Sequence, residues 1–272
     1  MTDPCFPPSP AMIPTSVGRL ALYDLGGTGH PLLLWPSLFT DHRLYARLIE
    51  VVRQRWRILL LDGPGFGRSD PPRPRTQPGQ YAAAVVEILD NLRIERALFA
   101  GTSWGGQIGA HLAADQAQRM TGVLMMNTPL QPSRGGHLFE VGAARVLART
   151  GLYARGVARA MLSSRSQRDP AILRLFTESF RGFRPRDAAI TASTTLRHFP
   201  GLGGVLPRAR APLTIIMGAL DRLYPAQGLL PLAEQAPGAR LLVEADSAHL
   251  APLDTPWAVA EALEELGRRA QL

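Results

Sequence analysis

The chain has 272 residues, 46% hydrophobic and 19% charged, an ordinary globular composition and a length that buries one large core. All thirty basic residues are arginine, so a lysine Schiff base, a phosphate-loop lysine and a serine–lysine dyad are excluded. Cys5 is the single cysteine, which leaves no disulfide framework and no thiol-ligated metal. With no apolar run of bilayer length and no signal-peptide pattern, the expected location is cytoplasmic.

Residues 1–14 carry Pro4, Pro7, Pro8, Pro10 and Pro14 and are expected to form a flexible leader. From there, short apolar runs alternate with longer amphipathic ones. Strands are predicted over 17–23 and 31–35, a helix over 42–54, a strand over 57–61 and a helix over 77–92. A strand over 96–100, a helix over 104–116 and a strand over 121–126 follow. The alternation breaks between residues 131 and 210, where helices are predicted over 141–162, 170–180 and 186–198 and no strand stands out. It resumes with a strand over 213–217, a helix over 226–235, a strand over 239–243 and a helix over 255–268. This is the pattern of an α/β protein: a mostly parallel central sheet with helices on both faces, its core drawn from 15–130 and 211–272, and 131–210 inserted as a helical cap.

Gly101-Thr102-Ser103-Trp104-Gly105 falls between a predicted strand and a predicted helix. A serine on such a turn has its hydroxyl exposed at the strand's carboxyl end, and small residues two before and two after make room for the strained backbone. A serine hydroxyl becomes a nucleophile only when a base takes its proton, and an imidazole base needs a carboxylate to fix its tautomer. Both residue types occur at strand ends. Asp221 follows the strand over 213–217 and His249 follows the strand over 239–243, so all three side chains belong to one edge of the sheet, in the order Ser, Asp, His. Asp246 shares a loop with His249 and is less suited to reach the far ring nitrogen. His111 reads as a packed or helix-surface residue, and His30, His42, His137 and His198 have no carboxylate or serine motif that places them at the site.

These contexts resemble the α/β-hydrolase superfamily from Val17 to the final helix. The resemblance extends to Asp62-Gly63-Pro64-Gly65-Phe66-Gly67-Arg68-Ser69, to Pro212–Gly218 leading into Asp221 and Pro225, and to Ala248-His249 followed by Asp254-Thr255-Pro256. It implies a serine hydrolase with catalytic Ser103, Asp221 and His249 acting through an acyl-enzyme on a carboxylic ester or lactone, with no metal and no organic cofactor. Some members carry the acid near Asn127, which is not a carboxylate here. The dehalogenase and epoxide hydrolase branches use aspartate where this chain has Ser103. Two backbone amides are expected to form the oxyanion hole: Trp104, and one from the loop after the strand over 31–35, with Leu38 the first choice and Ser37 the competing one. That loop departs from the family's usual His-Gly, reading Pro36-Ser37-Leu38, and Ala248 replaces the usual glycine before the histidine.

The cap is expected to roof the pocket, with apolar residues such as Phe139, Met161, Leu162 and Phe176 near the substrate or packing the cap onto the core. From Gln131 to Arg210 there are fourteen arginines against four acids, whereas the rest of the chain has sixteen against eighteen. The plain reading is a set of solvated helix faces. The sharper one is recruitment of an anionic or carrier-protein-bound substrate, with Arg145, Arg149, Arg155 and Arg159 at i, i+4 spacings. A proline-iminopeptidase-like aminopeptidase, suggested by Trp104, would need acids where the cap is basic. The same fold also accommodates a carbon–carbon bond hydrolase and a catalytically silent ligand-binding protein. No recognisable nucleic-acid module is present.

Overall fold

The computed structural model describes residue 6 and residues 9–132, 151–181 and 184–272. Cys5, most of the predicted leader, Phe139, His137, Arg145, Arg149 and the first part of the predicted 141–162 helix lie outside the described residues. Eight strands form one sheet: β1 (Ala11–Thr15), β2 (Gly18–Asp24), β3 (His30–Trp35), β4 (Trp56–Leu61), β5 (Ala97–Thr102), β6 (Met120–Met126), β7 (Leu213–Gly218) and β8 (Arg240–Glu244). Their spatial order is β1-β2-β4-β3-β5-β6-β7-β8. The β1/β2 and β2/β4 pairs are antiparallel and every other neighbouring pair is parallel.

The expected leader is corrected at its carboxyl end, where residues 11–14 belong to β1. Alternation around buried Ile13, with Ala11 opposite Leu22 and Thr15 opposite Gly18, makes a hairpin whose turn includes Gly18 at φ 118°. Pro14 lacks a backbone N–H and is tolerated because β1 is the edge strand. In the interior the strands are covered on both faces and their sequences run continuously apolar, as in Leu32-Leu33-Leu34-Trp35 and in wholly buried β5, β6 and β7.

The longer helices among the described residues are α1 (Ala46–Val52), α2 (Pro78–Asn91), α3 (Trp104–Asp115), α4 (Gly151–Met161), α5 (Pro170–Arg181), α6 (Pro185–Ala192), α7 (Ala226–Ala233) and α8 (Pro256–Arg269). Helix α2 starts where the sequence provides a stop for the loop: Pro78 at its first position, and a reciprocal cap in which Gln77 N–H donates to Gln80 Oε1 at 2.9 Å. Helices α3 and α8 lie on opposite faces of the sheet, because successive residues of β6 point opposite ways. A Cβ on Gly122 would fall 2.8 Å from Leu266 of α8, whereas its neighbour Val123 reaches the Cβ position of Gly109 in α3 at 3.1 Å.

Among the described residues between Gln131 and Arg210 there is helix and no strand. The predicted 186–198 helix is α6 followed by a π-helical turn, Ser193–Arg197, in which the ladder widens where Thr195 meets the core. Thr191 Oγ1 donates to the Pro64 carbonyl at 2.9 Å, and Gln107 Nε2 of α3 donates to the Thr195 carbonyl at 3.3 Å, so this segment sits directly over the β4 and β5 strand ends.

The tightest approach in the fold is at Gly101 of β5, where an added Cβ would run into the carbonyl of Gly105 and come within 2.7 Å of the Gly106 nitrogen. Backbone cannot swing aside as a side-chain tip can. Gly101→Ala is therefore expected to lower unfolding free energy by about 1–3 kcal/mol or more, the cost of overpacking a rigid site. Urea denaturation of the two proteins measures it.

Candidate active site

Ser103 occupies the turn between β5 and α3 at φ 57° and ψ −116°, a conformation that costs a non-glycine residue about 1–3 kcal/mol and persists only where packing enforces it. The enforcement is visible on four sides. Ser103 N–H donates to the Met126 carbonyl at the end of β6 (2.8 Å), and Gly106 and Gln107 N–H both return to the Ser103 carbonyl (2.9 and 3.3 Å). Gly105 lets the first turn of α3 lie against the Trp35 carbonyl, 2.6 Å from where its Cβ would be. Thr128 closes the fourth side against Gly106.

The same stitching continues along the strand ends. Asn127 N–H donates to the Ile216 carbonyl (2.8 Å), Ala219 N–H to the Glu244 carbonyl (2.8 Å) and Leu220 N–H to the Ser247 carbonyl (2.9 Å). Ser103, Asn127, Asp221 and His249 therefore line up at the carboxyl ends of β5, β6, β7 and β8, on the edge expected from their positions in the sequence. His249 Nδ1 and Asp221 Oδ2 are 2.8 Å apart, with both side chains almost wholly buried. Asp246 does not make this contact.

Burial alone would push the Asp221 pKa up. The charge and hydrogen bond of His249 and the amides of Tyr224 and Leu223, at 3.1 and 2.9 Å from Oδ1, outweigh it and leave the carboxyl below the usual aspartate value. An aspartate held ionised against one ring nitrogen fixes the imidazole with its other nitrogen free, the arrangement a general base requires.

The loop after β3 is held from beneath. Tyr45 Oη donates to the Trp35 carbonyl (2.6 Å) and lies 3.1 Å from Thr102 Oγ1, clamping the ends of β3 and β5 together beside Ser103. The Ser37 carbonyl accepts from both Thr40 N–H (3.3 Å) and Thr40 Oγ1 (2.8 Å). In a trans peptide the N–H points opposite the C=O, so the Leu38 N–H is directed away from Thr40. Trp104 N–H is the first amide of α3 and has no carbonyl of its own helix before it to donate to. The Trp104 ring is fully buried among Trp35, Phe66 and Tyr81 and packs against Gly63. Its side chain thus packs the core.

Three residues that sequence reasoning leaves unassigned, Asn127, Asp254 and Ser163, hold this geometry. Asn127 Nδ2 donates to the Ala248 carbonyl at 2.8 Å and lies 3.4 Å from Asp221 Oδ2, bridging the acid and histidine loops. Asp254 accepts from Ala248 N–H (2.8 Å) and Ser163 Oγ (2.9 Å), while His249 N–H donates to the Met161 carbonyl (3.0 Å), so the histidine loop is tied to the segment after α4. Asp254 has a signal in the sequence, the Asp-Thr-Pro run after the histidine; Asn127 is visible there only as a missing carboxylate.

His42 lies apart from the Ser103 edge but is not without a partner. It has a carboxylate partner, Asp62, at 2.8 Å from Nδ1, and stacks on Tyr23 with ring centroids 3.9 Å apart. Asp41, His42 and Asp62 offer ligand atoms within 4.8 Å of one another. Those atoms are already committed: Arg43 forks onto Asp41, and Asp62 also accepts from His42 N–H (3.0 Å) and Arg68 N–H (2.9 Å). Burial works against an ionised Asp41, but the Arg43 hydrogen bonds and charge more than offset it and lower its pKa. With its oxygens committed to these partners, this cluster braces the loop that follows β3.

Because native Asp221 has a depressed pKa, its contribution to stability is present above the unfolded value, about 3.9, and is lost as pH falls through the native one. Urea midpoints of the wild type should therefore fall more steeply below pH ~4 than those of Asp221→Asn. Parallel curves would show that Asp221 gains nothing from its partners.

A family model described as alpha/beta hydrolase fold matches residues 30–256. Haloalkane dehalogenase 2 of Mycobacterium tuberculosis is 35% identical over 136 residues, 47% of this chain and 47% of that protein, so the chain spans about half the length of the curated relatives it matches. A thermophilic esterase from Thermogutta terrifontis superposes with a TM-score of 0.84 at 21% identity, covering 97% of this chain and 100% of that one. The enol-lactonase from Burkholderia xenovorans gives 0.84 at 24% identity, covering 93% and 98%. The strand order, the strained turn after β5 and the matched residues agree, and the chain belongs to the α/β-hydrolase fold family.

Proposed function

We propose that this chain is a serine hydrolase that cleaves a carboxylic ester or lactone through Ser103, His249 and Asp221. The observation that carries the reading is a serine at φ 57° on the β5–α3 turn, on the same strand-end edge as a buried histidine 2.8 Å from its aspartate. In this reading His249 takes the Ser103 proton as the hydroxyl attacks the carbonyl. The oxyanion is held by the amides of Trp104 and Leu38, and the peptide geometry around Ser37 favours Leu38 over Ser37 as the loop donor. The protonated imidazole gives its proton to the leaving alcohol, and water activated by the same histidine releases the acid. Two preorganised donors of this kind lower the barrier by several kcal/mol, roughly 10²–10³ in rate for each one removed.

The dehalogenase relative shares the fold. A dehalogenase of the kind this family resemblance implies needs an aspartate nucleophile, and position 103 is serine. The esterase and enol-lactonase neighbours are compatible with acyl chemistry. Among the described residues Asp221 is the only acid hydrogen-bonded or ion-paired to His249, which gives an ammonium-binding aminopeptidase no support at this position. The helical segment over the strand ends, tied to the core through Thr191, Thr195 and Met161, is read as the cap that shapes the pocket.

A fluorophosphonate probe should label the wild type and fail to label Ser103→Ala, and Asp221→Asn should lower kcat on the order of 10⁴-fold, as loss of the orienting acid does in such triads. On a panel of acyl esters, lactones, carbon–carbon diketones and amino-acid arylamides, ester or lactone turnover is expected. Absence of labelling, or turnover confined to proline arylamides, would overturn the reading.

A further inference from the structure

A cleft borders Asp221. It has a volume of about 490 Å³ and is walled by the end of α4 and the turn after it (Arg159, Ala160, Leu162, Ser163, Ser164) and by the loop after β7 (Ala219 to Arg222, with Pro225). Neither Ser103 nor His249 is among its walls. Its size is that of a small-molecule site, typically about 300–1,000 Å³. Two features of the walls are unusual together.

The first is uncompensated charge. Arg159 and Arg222 line the cleft from two different segments, both exposed, and among the described residues neither guanidinium has an ion-pair or hydrogen-bond partner. Asp221 lines the same cleft but does not neutralise them, since its oxygens are taken by His249, Leu223, Tyr224 and Asn127. Nor is Arg159 needed to satisfy the carboxyl end of α4: Gln167 Nε2 does that, donating to the Leu162 carbonyl at 2.8 Å and to the Arg159 carbonyl at 3.5 Å. Some arginines elsewhere do meet acids, as in Arg19–Asp70, Arg57–Asp24 and Arg208–Asp115, and this pair does not. Two like charges facing one concave surface repel each other and focus a positive potential into it.

The second is an exposed apolar wall. Leu220 is 47% exposed, one of three large apolar side chains so exposed among the described residues, and it faces the cleft with Pro225 and Leu162. Solvated arginine alone needs no such surface beside it.

We propose that this cleft is a ligand site separate from the reacting centre, taking an amphipathic carboxylate whose anion lies between Arg159 and Arg222 and whose apolar body lies along Leu220, Leu162 and Pro225. A planar carboxylate matches the guanidinium fork, and an aliphatic chain of medium length fills the remaining volume. The proposal does not depend on the role given to Ser103, because its readout is binding and its location.

The test uses the full chain and a diazirine-bearing octanoic acid analogue, with cross-linked peptides mapped after photolysis. Label is expected in residues 159–164 and 219–225. It should fall about tenfold or more in the Arg159→Ala/Arg222→Ala double variant and in Leu220→Asp, and stay unchanged in Arg155→Ala, an exposed arginine of α4 outside the cleft. Octanoate should compete at least about tenfold better than octanol or acetate, since each competitor lacks one half of the recognition. Unchanged thermal midpoints identify the variants as folded, which their exposure favours. Label mapped elsewhere, label undiminished in the double variant, or equal competition by octanol or acetate would overturn the proposal. Loss of fluorophosphonate labelling at Ser103 with cleft labelling intact would overturn only the reading of Ser103.

Discussion

Everything at the strand ends depends on one constraint, the backbone of Ser103 held in a region that serine avoids. A φ of 57° with a ψ of −116° places the residue where β5 stops and α3 begins without an intervening loop, so the side chain projects above the edge and the α3 amides begin immediately behind it. The turn is stable because its neighbours leave no room for it to relax. Gly101 and Gly105 meet backbone on the inner side, Gly106 meets Thr128, and the Ser103 N–H is committed to Met126. The strain of about 1–3 kcal/mol is small against the burial of β5 and β6, whose residues are almost wholly inaccessible.

Two buried aspartate–histidine contacts occur among the described residues, and comparing them shows what their surroundings contribute. Asp62–His42 and Asp221–His249 have the same 2.8 Å separation at Nδ1, and each aspartate also accepts backbone N–H groups. His42 is covered by Tyr23 on one face, with Phe6 edge-on at 5.0 Å, and sits at the start of a short helical turn beneath the β3 loop. His249 lies at the end of β8, beside Tyr224 and along the edge that bears Ser103. Chemistry available to an Asp–His pair is thus general, and its use is decided by which strand end it occupies.

This contrast also marks the limit of what the sequence makes legible. Strands buried on both faces announce themselves as apolar runs, and the helices between them by period and caps, so the core is readable to within a residue or two. Ser103, Asp221 and His249 are readable because each follows such a run. His42 is not, because its carboxylate lies 20 residues away on another strand end and the pairing has no local period or motif. Asn127 carries no charge to draw notice, yet its amide is the group that can donate to the Ala248 carbonyl and still approach Asp221. Strand β1 is hidden by Pro14 and the proline-dense run before it, although a missing N–H matters only on the side of a strand that is paired.

Ala248, in place of the family's usual glycine, shows how a local departure is absorbed elsewhere. The residue is buried, and its carbonyl and that of Ser247 press against Gly218 at the end of β7, where any Cβ would collide with both. Its N–H is held by Asp254 and its carbonyl by Asn127, so the peptide groups on both sides of Ala248 are fixed before the histidine begins. The added methyl therefore does not set the position of His249. The glycine that the loop requires is supplied by the neighbouring strand, and two polar side chains on either side supply the restraint that a tighter turn would otherwise provide.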